Sequence, residues 1–591
     1  MKSITRRQFL KNSAATGMTG SLLASLGAFG CSNEQAEETA TRRPNVLLVM
    51  TDDQGFADLA CHGNPDIKTP HLDAFAAEST EFTQFHVCAV CSPTRASLMT
   101  GRYHLRTGVT DTWMGRSIMR NEEKTVAEYF KEAGYATGIF GKWHLGDNYP
   151  FRPSEQGFDE ALIHQGGGLR QPSNPPDNGY FDPQLLHNNE LKTFPGYCTD
   201  IYTDYAIDFM KTKRNQPFFL YHATNAPHVP LEIGDEYIKP YMDAGLTEKL
   251  ARVYGMVTNF DDNWGRLLKT LEELDIADNT IVIYLTDNGP QIILPEQERR
   301  FRAGLRATKG QPYDGGIHVP FYIRWPGKTA PGAKIDRIAA HIDVMPTVLD
   351  ACGIDFTPEN PLDGRSLTPL LENTGSDWAD RTIFTQWHRG DEPHRYRCFA
   401  ARNQQYKLVH RDIGPGGDSD PGYTRDGIME KIELFDMSAD PAEKNNLAGE
   451  RPEIMNAMLD DYERWFDSVS SRGYEPHRII LGSPHENPVT LTRQDWRGPH
   501  ANWSNTGLGY WEVNVDKSAD FNIGLRFDAM ETAGKAHFRY GQVHETLKLT
   551  KGAVTCSFDG IALPEGDGRI EAWVERSGKD VGVMYVDVMG I

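Results

Sequence analysis

The chain has 591 residues, 39% hydrophobic and 24% charged, which is enough apolar material for a large core and, by length, for roughly two to four domains. Its formal net charge is −21. A phosphate backbone selects basic surfaces, so nucleic acid is excluded as a main partner. A small anionic ligand is not excluded, because at contact range only the local field of a pocket counts.

From the N-terminus, Thr5-Arg6-Arg7-Gln8-Phe9-Leu10-Lys11 is a twin-arginine pattern, followed by a small-residue, mildly apolar stretch from Ala14 to Gly30. That stretch is too short to span a bilayer, and Gly17, Gly20 and Gly27 make it a poor helix. Residues 1–31 are therefore expected to be an export signal read by the twin-arginine (Tat) machinery. Cys31 stands where a bacterial lipoprotein carries its lipid; Phe29 and Ala28 fit that pattern poorly, so the anchor stays open. Residues 32–43 are polar and acidic, as a leader or tether is. No other stretch is long and apolar enough for a transmembrane span. The expected location is the periplasm, with lipid anchoring or secretion as the variants.

The folded chain is expected to open with the strand Pro44 to Met50, a continuous apolar run typical of burial on both faces. Thr51-Asp52-Asp53 follows, at the strand end where open α/β sheets bind ligands. Similar runs follow helical stretches: Thr137–Lys142 after Thr125–Ala133, Phe218–Tyr221 after Tyr202–Lys211, and Thr280–Thr286 after Glu248–Leu274. The last ends at Asp287-Asn288. Pro320–Arg324 follows a glycine-rich loop. Strands alternating with helices imply an α/β fold, a large mostly parallel sheet sandwiched by helices, over residues 44–380. Short strands such as Thr382–Gln386 and Tyr406–Val409, then a helix Pro452–Val469, suggest a smaller α+β subdomain over 381–473. Period-two runs such as Phe521–Phe527 and Ile570–Val574 suggest a β-rich, sandwich-like C-terminal domain over 474–591. There Trp496, Trp503, Trp511 and Trp573 are core residues by default, with a sugar platform the other reading. The eight cysteines, at 31, 61, 88, 91, 198, 352, 398 and 556, are too dispersed for a disulfide framework. Cys88 and Cys91 form a C-x-x-C without redox or zinc context.

Cys91-Ser92-Pro93-Thr94-Arg95 opens a helix-like run that ends in Thr100-Gly101-Arg102. This stretch resembles the signature of the formylglycine-dependent (type I) sulfatases, Cys-x-Pro-x-Arg followed by a helix ending Thr-Gly-Arg. Pro44 to Gly55 is similar to that family's first strand, and Gly141-Lys142-Trp143-His144-Leu145-Gly146 to its second signature. Ala226-Pro227-His228-Val229-Pro230, Thr286-Asp287-Asn288-Gly289, and Lys309-Gly310 before Tyr313-Asp314-Gly315-Gly316 follow in the family's order. The resemblance runs from Pro44 to about Trp465 and implies the fold of the alkaline-phosphatase superfamily.

The resemblance implies a sulfate-ester hydrolase whose Cys91 is oxidised to formylglycine (3-oxoalanine) by a maturation enzyme. The hydrated aldehyde attacks sulfur, Arg95 holds it, and Lys142 and Lys309 grip sulfate oxygens. His228 protonates the departing alcohol with a pKa near neutrality. His144 takes the proton from the remaining hydroxyl, so sulfate leaves and the aldehyde re-forms. Asp52, Asp53, Asp287, Asn288 and the modified Cys91 hold one metal ion; hard oxygen donors select Ca²⁺, with Mg²⁺ the lesser alternative. Each Asp alone would read as a turn residue or helix cap, but paired polar residues ending two apolar strands favour the metal.

His388, Arg389 and the run His394-Arg395-Tyr396-Arg397 offer charge-assisted bonds and stacking for an anionic sugar. The loop Leu162–Gly179, with Gly166-Gly167-Gly168, offers another wall. The substrate expected is a sulfated saccharide, a polysaccharide or its oligosaccharides by association with export. A phosphonate or phosphate ester hydrolase of the same superfamily is the alternative, and an inactive glycan-binding protein a further one; the metal set without histidine and the intact signature weigh against both.

Overall fold

The computed structural model describes residues 43–291, 300–372, 378–414 and 422–591. The twin-arginine pattern, the stretch Ala14–Gly30, Cys31 and the rest of the leader up to Arg42 lie outside the described residues.

Val46 to Met50 contains no polar side chain, and the strand Asn45–Thr51 is buried at every residue. Its side chains alternate between two cores: Val46, Leu48 and Met50 enter one, Leu47 and Val49 the other. A strand covered on both faces gains from apolar residues at every position, which is why the sequence shows a run and not an alternation. Thr280–Thr286 and Phe218–Ala223 flank it in parallel, and Ala136–Lys142 pairs in parallel with the latter. The complete sheet has ten strands, in the order Lys334–Ile335, Thr80–Phe82, Phe321–Arg324, Thr280–Thr286, Asn45–Thr51, Phe218–Ala223, Ala136–Lys142, Glu160–His164, Gln184–His187, Glu190–Thr193.

Helices cover both faces. Cys91–Thr100, Val126–Glu132 and Val344–Ala351 send Leu98, Phe130 and Val348 into the first core. Pro70–Glu78, Cys198–Lys213 and Glu248–Glu273 send Phe75, Phe209 and Phe260 into the second. Val126–Glu132 starts at a capping box, with Thr125 and Glu128 each accepting from the other's backbone N–H, which satisfies two otherwise orphaned donors.

Phe321–Arg324 pairs antiparallel with Thr280–Thr286, Phe321 opposite Leu285. The chain between them returns on the same end of the sheet, so the strand has to run back. The edge hairpin Gln184–His187/Glu190–Thr193 is likewise antiparallel. The sheet is therefore mixed, with its parallel strands at the centre.

Beyond it, Ile383–Gln386, Phe399–Arg402, Tyr406–His410 and Glu433–Asp436 form an antiparallel sheet. The helix Pro452–Ser470 lays Leu459, Tyr462 and Phe466 on its face with Phe399 and Leu408. From Ile479 onward two sheets, one of seven strands and one of four, share a core of Trp496, Trp511, Phe521, Ile523, Phe538, Ile570 and Val574. Ala519–Arg526 alternates buried and half-buried positions from Phe521 on. Trp496 and Trp511 are fully buried core residues; Trp503 lies edge-on to Trp113, and Trp573 stacks on His537. The seven described cysteines, Cys88 and Cys91 among them, are free thiols. No described helix is long and apolar enough to cross a membrane.

Candidate active site

Three parallel strands deliver polar residues to one end of the sheet. Thr51 is in register with Thr286, so Asp52-Asp53 and Asp287-Asn288 emerge side by side, all essentially without solvent exposure. Lys142 ends its own strand nearby, and its Nζ lies 2.7 Å from Asp52 Oδ2. Asp53 adopts φ 62°, a left-handed conformation costly for a non-glycine residue unless its surroundings enforce it. They do: its N–H donates to Asp287 Oδ1 at 3.2 Å, and Arg300, ion-paired with Asp58, donates to its carbonyl.

Cys91 is the first residue of a helix buried along its whole length, whose C-cap Gly101 sits at φ 66°. No side chain caps the N-terminus of this helix, the end of a helix that favours negative charge. Arg95 lies one turn on. Its Nη2 and Nε donate to Asp287 Oδ2 at 2.8 and 3.2 Å, and Nη1 donates to the Lys142 carbonyl at 2.9 Å. The Cys91 sulfur and one carboxylate oxygen each of Asp52 and Asp287 lie within 4.8 Å of one another. Lys309 arrives from the loop before Tyr313, and its Nζ pairs with Asp53 Oδ1.

Three buried carboxylates, Asp52, Asp53 and Asp287, thus face three cations, Arg95, Lys142 and Lys309. The pairing leaves a remainder. Asp52 Oδ1, Asp53 Oδ2 and Asn288 Oδ1 are buried with no hydrogen-bond partner. Buried polar atoms are almost always satisfied, so three acceptor oxygens beside one thiol form a donor set suited to a hard cation. Burial, then the Asp52 charge, push Asp287 up to about 6 against Arg95 and Lys142. Burial alone would raise Asp53 too, but Lys309, His228 and Lys142 outweigh it and hold that carboxyl well below its usual range. Burial also raises the Cys91 thiol.

His228 follows the strand Phe218–Ala223. Its Nε2 is 3.8 Å from Asp53 Oδ2, and its Nδ1 meets the Val229 carbonyl at 2.7 Å. Its pKa is not near neutrality in this setting: burial, with Lys142 and Lys309 adding to it against Asp53, lowers it to about 3. His144 sits at φ 62° with Nε2 2.8 Å from the Thr112 carbonyl, while Nδ1 is buried without a partner. A carbonyl only accepts, so Nε2 carries the proton and Nδ1 holds the free lone pair. Burial and then Lys142 keep this ring neutral.

The glycine-rich loop closes over both rings. A Cβ on Gly167 would lie 2.6 Å from His144 ring atoms, and one on Gly168 2.8 Å from the His228 ring. Only glycine fits there. The sequence marks this loop as a wall but does not tell that it packs on the two histidines. Thr112 and Arg300 carry no sequence signal, because one acts through its carbonyl and the other from behind the acidic turn.

The structure brings Cys91, Arg95, Lys142, His144, His228, Lys309, Asp52, Asp53, Asp287 and Asn288 into one buried cluster. His388 and Arg389 are bonded elsewhere. Both His388 ring nitrogens are taken by backbone, Nδ1 by the Arg389 carbonyl and Nε2 by the His394 N–H. Arg389 Nη1 donates to both carboxylate oxygens of Asp111 at 2.9 and 3.0 Å, and its guanidinium lies over Trp113 and Trp387. Trp387 in turn donates to the Gly310 carbonyl, next to Lys309, so this segment supports the lysine loop.

The family model "Sulfatase" matches residues 44–354, and "N-sulphoglucosamine sulphohydrolase, C-terminal" matches residues 308–463. Human Arylsulfatase A is 32% identical over 491 residues, spanning 75% of this chain and 93% of its own. Human N-acetylgalactosamine-6-sulfatase is 32% identical over 455 residues, spanning 71% and 84%. The N-acetylglucosamine-6-O-sulfatase of Bacteroides thetaiotaomicron is 26% identical over 551 residues, spanning 76% and 90%. A solved structure described as Ps i-CgsB in complex with k-i-k-neocarrahexaose superposes with a TM-score of 0.64 at 26% identity, over 74% of this chain and 95% of that one. A family model over more than half of the sequence and relatives matched over most of their length agree with the mixed sheet and its acidic strand ends: the chain belongs to the sulfatase family of sulfuric ester hydrolases.

Proposed function

We propose that this chain is an exported sulfatase that removes sulfate from a sulfated carbohydrate, a polysaccharide or its oligosaccharides, with Cys91 as formylglycine and one Ca²⁺ at the acidic strand ends. The observation that carries the reading is the group of three unpartnered buried oxygens, Asp52 Oδ1, Asp53 Oδ2 and Asn288 Oδ1, beside Cys91 and among Arg95, Lys142 and Lys309. Oxygen donors with several carboxylates fit Ca²⁺ better than Mg²⁺. Bound there, the ion and the hydrated aldehyde supply an oxygen nucleophile and positive charge at the sulfate oxygens.

The chain's own residues do the rest. Arg95 ties the Cys91 helix turn to Asp287 and so fixes where the side chain at 91 points. Lys142 and Lys309 already hold carboxylate oxygens of Asp52 and Asp53, the same chemistry as gripping sulfate oxygens. Three carboxylates balanced by three cations leave the charge of a divalent ion uncompensated, and the single negative charge of a sulfate ester offsets half of it. That anion, placed between the lysines and His228, also offsets the positive charge that disfavours protonating His228, readying it to give a proton to the departing alcohol. His144, with its Nδ1 lone pair free, accepts a proton.

The carbohydrate part of the proposal is supported by relatives named for sulfated amino sugars and by the saccharide complex of a structural neighbour. Export is supported by the twin-arginine pattern in residues 1–31, with Cys31 as the candidate lipid site. The test compares turnover of an aryl sulfate and the matching aryl phosphate by protein made in a host with maturation enzymes. Faster sulfate turnover is expected; faster phosphate turnover contradicts the reading and favours the phosphate or phosphonate hydrolase.

A further inference from the structure

Residues 464–591 lie outside both family models, yet the C-terminal sheets reach the two histidines by separate routes. The first passes through Gln494, fully buried. Its Nε2 donates to the Thr112 carbonyl at 3.1 Å, the same oxygen that His144 Nε2 meets at 2.8 Å. The Gln494 carbonyl accepts from Gly115 N–H at 2.9 Å, so the amide residue grips this loop at two points. The Gln494 segment is itself pinned: Trp511 donates to the Thr492 carbonyl at 2.6 Å and Trp503 to the Arg493 carbonyl at 3.1 Å.

The second route passes through Tyr585. Its hydroxyl donates to the Asn174 carbonyl at 2.7 Å, and the Arg526 guanidinium covers its ring at 4.1 Å. Asn174 Nδ2 donates to the Gly168 and Gln165 carbonyls at 2.9 and 3.0 Å. Gly168 is the glycine packed on His228, and its neighbour Gly167 packs on His144.

We propose that the C-terminal β module is a positioning element of the active site, with Gln494 and Tyr585 as positioning residues for His144 and His228. The inference rests on the sulfatase reading for what the histidines do, but not for the contacts themselves. Gln494 occupies the second lone pair of the Thr112 carbonyl and fixes its direction, which sets both the His144 ring orientation and its Nε2–H tautomer. Tyr585 fixes the loop backbone that bounds His228. Small misplacement of an acid or base costs rate far more than binding.

The test uses the full-length protein with Gln494→Leu, Tyr585→Phe and, as a control on the same module, Arg539→Ala, which removes a surface ion pair with Glu571. Gln494→Leu and Tyr585→Phe are expected to lower kcat about tenfold, with KM and Tm close to wild type and Arg539→Ala unchanged. Tyr585→Phe is expected to slow poor leaving groups more than 4-nitrophenyl sulfate, since an acid matters most for a poor leaving group. Gln494→Leu is expected to slow both alike, because His144 acts after the alcohol has left. Hydrogen exchange is expected to quicken in residues 110–119 for Gln494→Leu and in 164–174 for Tyr585→Phe. Unchanged exchange in those segments, or equal kcat losses in all three variants, overturns the inference. Absence of sulfate-ester turnover in the wild type, with exchange altered as expected, overturns the sulfatase reading and leaves the contacts standing.

Discussion

At the ends of Asn45–Thr51, Thr280–Thr286 and Ala136–Lys142, the working side chains belong to the residues that terminate the strands. In the C-terminal module the residues that bear on the site come from a tight turn, Gln494, and the start of a strand, Tyr585. They work through carbonyls of another part of the chain, 382 residues away for Gln494 and 411 for Tyr585. The first region concentrates buried, mutually paired charge where a parallel sheet is open. The second supplies neutral hydrogen bonds that hold geometry. The difference predicts that damage to the first removes the reaction or the fold's charge balance, whereas damage to the second alters rate or pH response.

The largest expected effect is from Cys91→Ala, which should lower sulfate-ester turnover by at least about 10⁴-fold while circular dichroism and Tm stay near wild type; substantial residual turnover would break the assignment of the nucleophile. Next is Lys142→Ala. Lys142 and Asp52 are both fully buried, and removing one partner strands the other charge, costing about 3–5 kcal/mol in chelator-treated protein. Denaturant unfolding measures that loss, and added Ca²⁺ should recover part of it by binding the folded state. A variant as stable as wild type after chelation would show that the pair does not carry the balance described.

Gly168→Ala probes the seam between the regions. Its Cβ would meet the His228 ring at 2.8 Å, so kcat should fall about tenfold, with little change in Tm. Steady-state kinetics on a poor leaving group should show the larger drop.

The smallest effect expected is at Asp147, whose carboxylate accepts from Gly166 N–H at 3.0 and 2.8 Å. Burial, with Glu486 adding to it, pushes Asp147 up to about 7, and burial together with Asp147 raises Asp495 across the module boundary. The folded state then binds more protons than the unfolded state between the ordinary carboxylate pKa and about 7, so stability falls as pH rises through that window. Asp147→Asn keeps an acceptor but not the charge. It should raise Tm relative to wild type by roughly 1–2 °C at pH 8, with the gap closing by pH 5. A gap independent of pH would contradict this.

How much of this was legible in the sequence follows the same division. The run Val46 to Met50 ending in two aspartates shows both the buried strand and the site, because burial on two faces and charge at a strand end leave marks in consecutive residues. The direction of Phe321–Arg324 leaves no such mark, since it depends on the path of the chain before it. His388 and Arg389 stand among charged and aromatic neighbours that suit an anionic sugar; the sequence did not show that backbone takes both His388 ring nitrogens and that Asp111 takes Arg389 Nη1. The free Nδ1 of His144 and the clasp of Gln494 on Thr112 were illegible, because a shared carbonyl between distant segments has no residue-type signature. The family motifs carried the cluster around Cys91; nothing comparable pointed to Tyr585.

The claim at the centre is that the residue at work is no longer cysteine. Mass spectrometry of the peptide containing Cys91, from protein made with maturation enzymes and active on an aryl sulfate, tests it directly. The aldehyde, lighter than a cysteine residue and inert to thiol alkylation, is expected at position 91. An unmodified thiol at that position in protein that still turns over sulfate esters would contradict it.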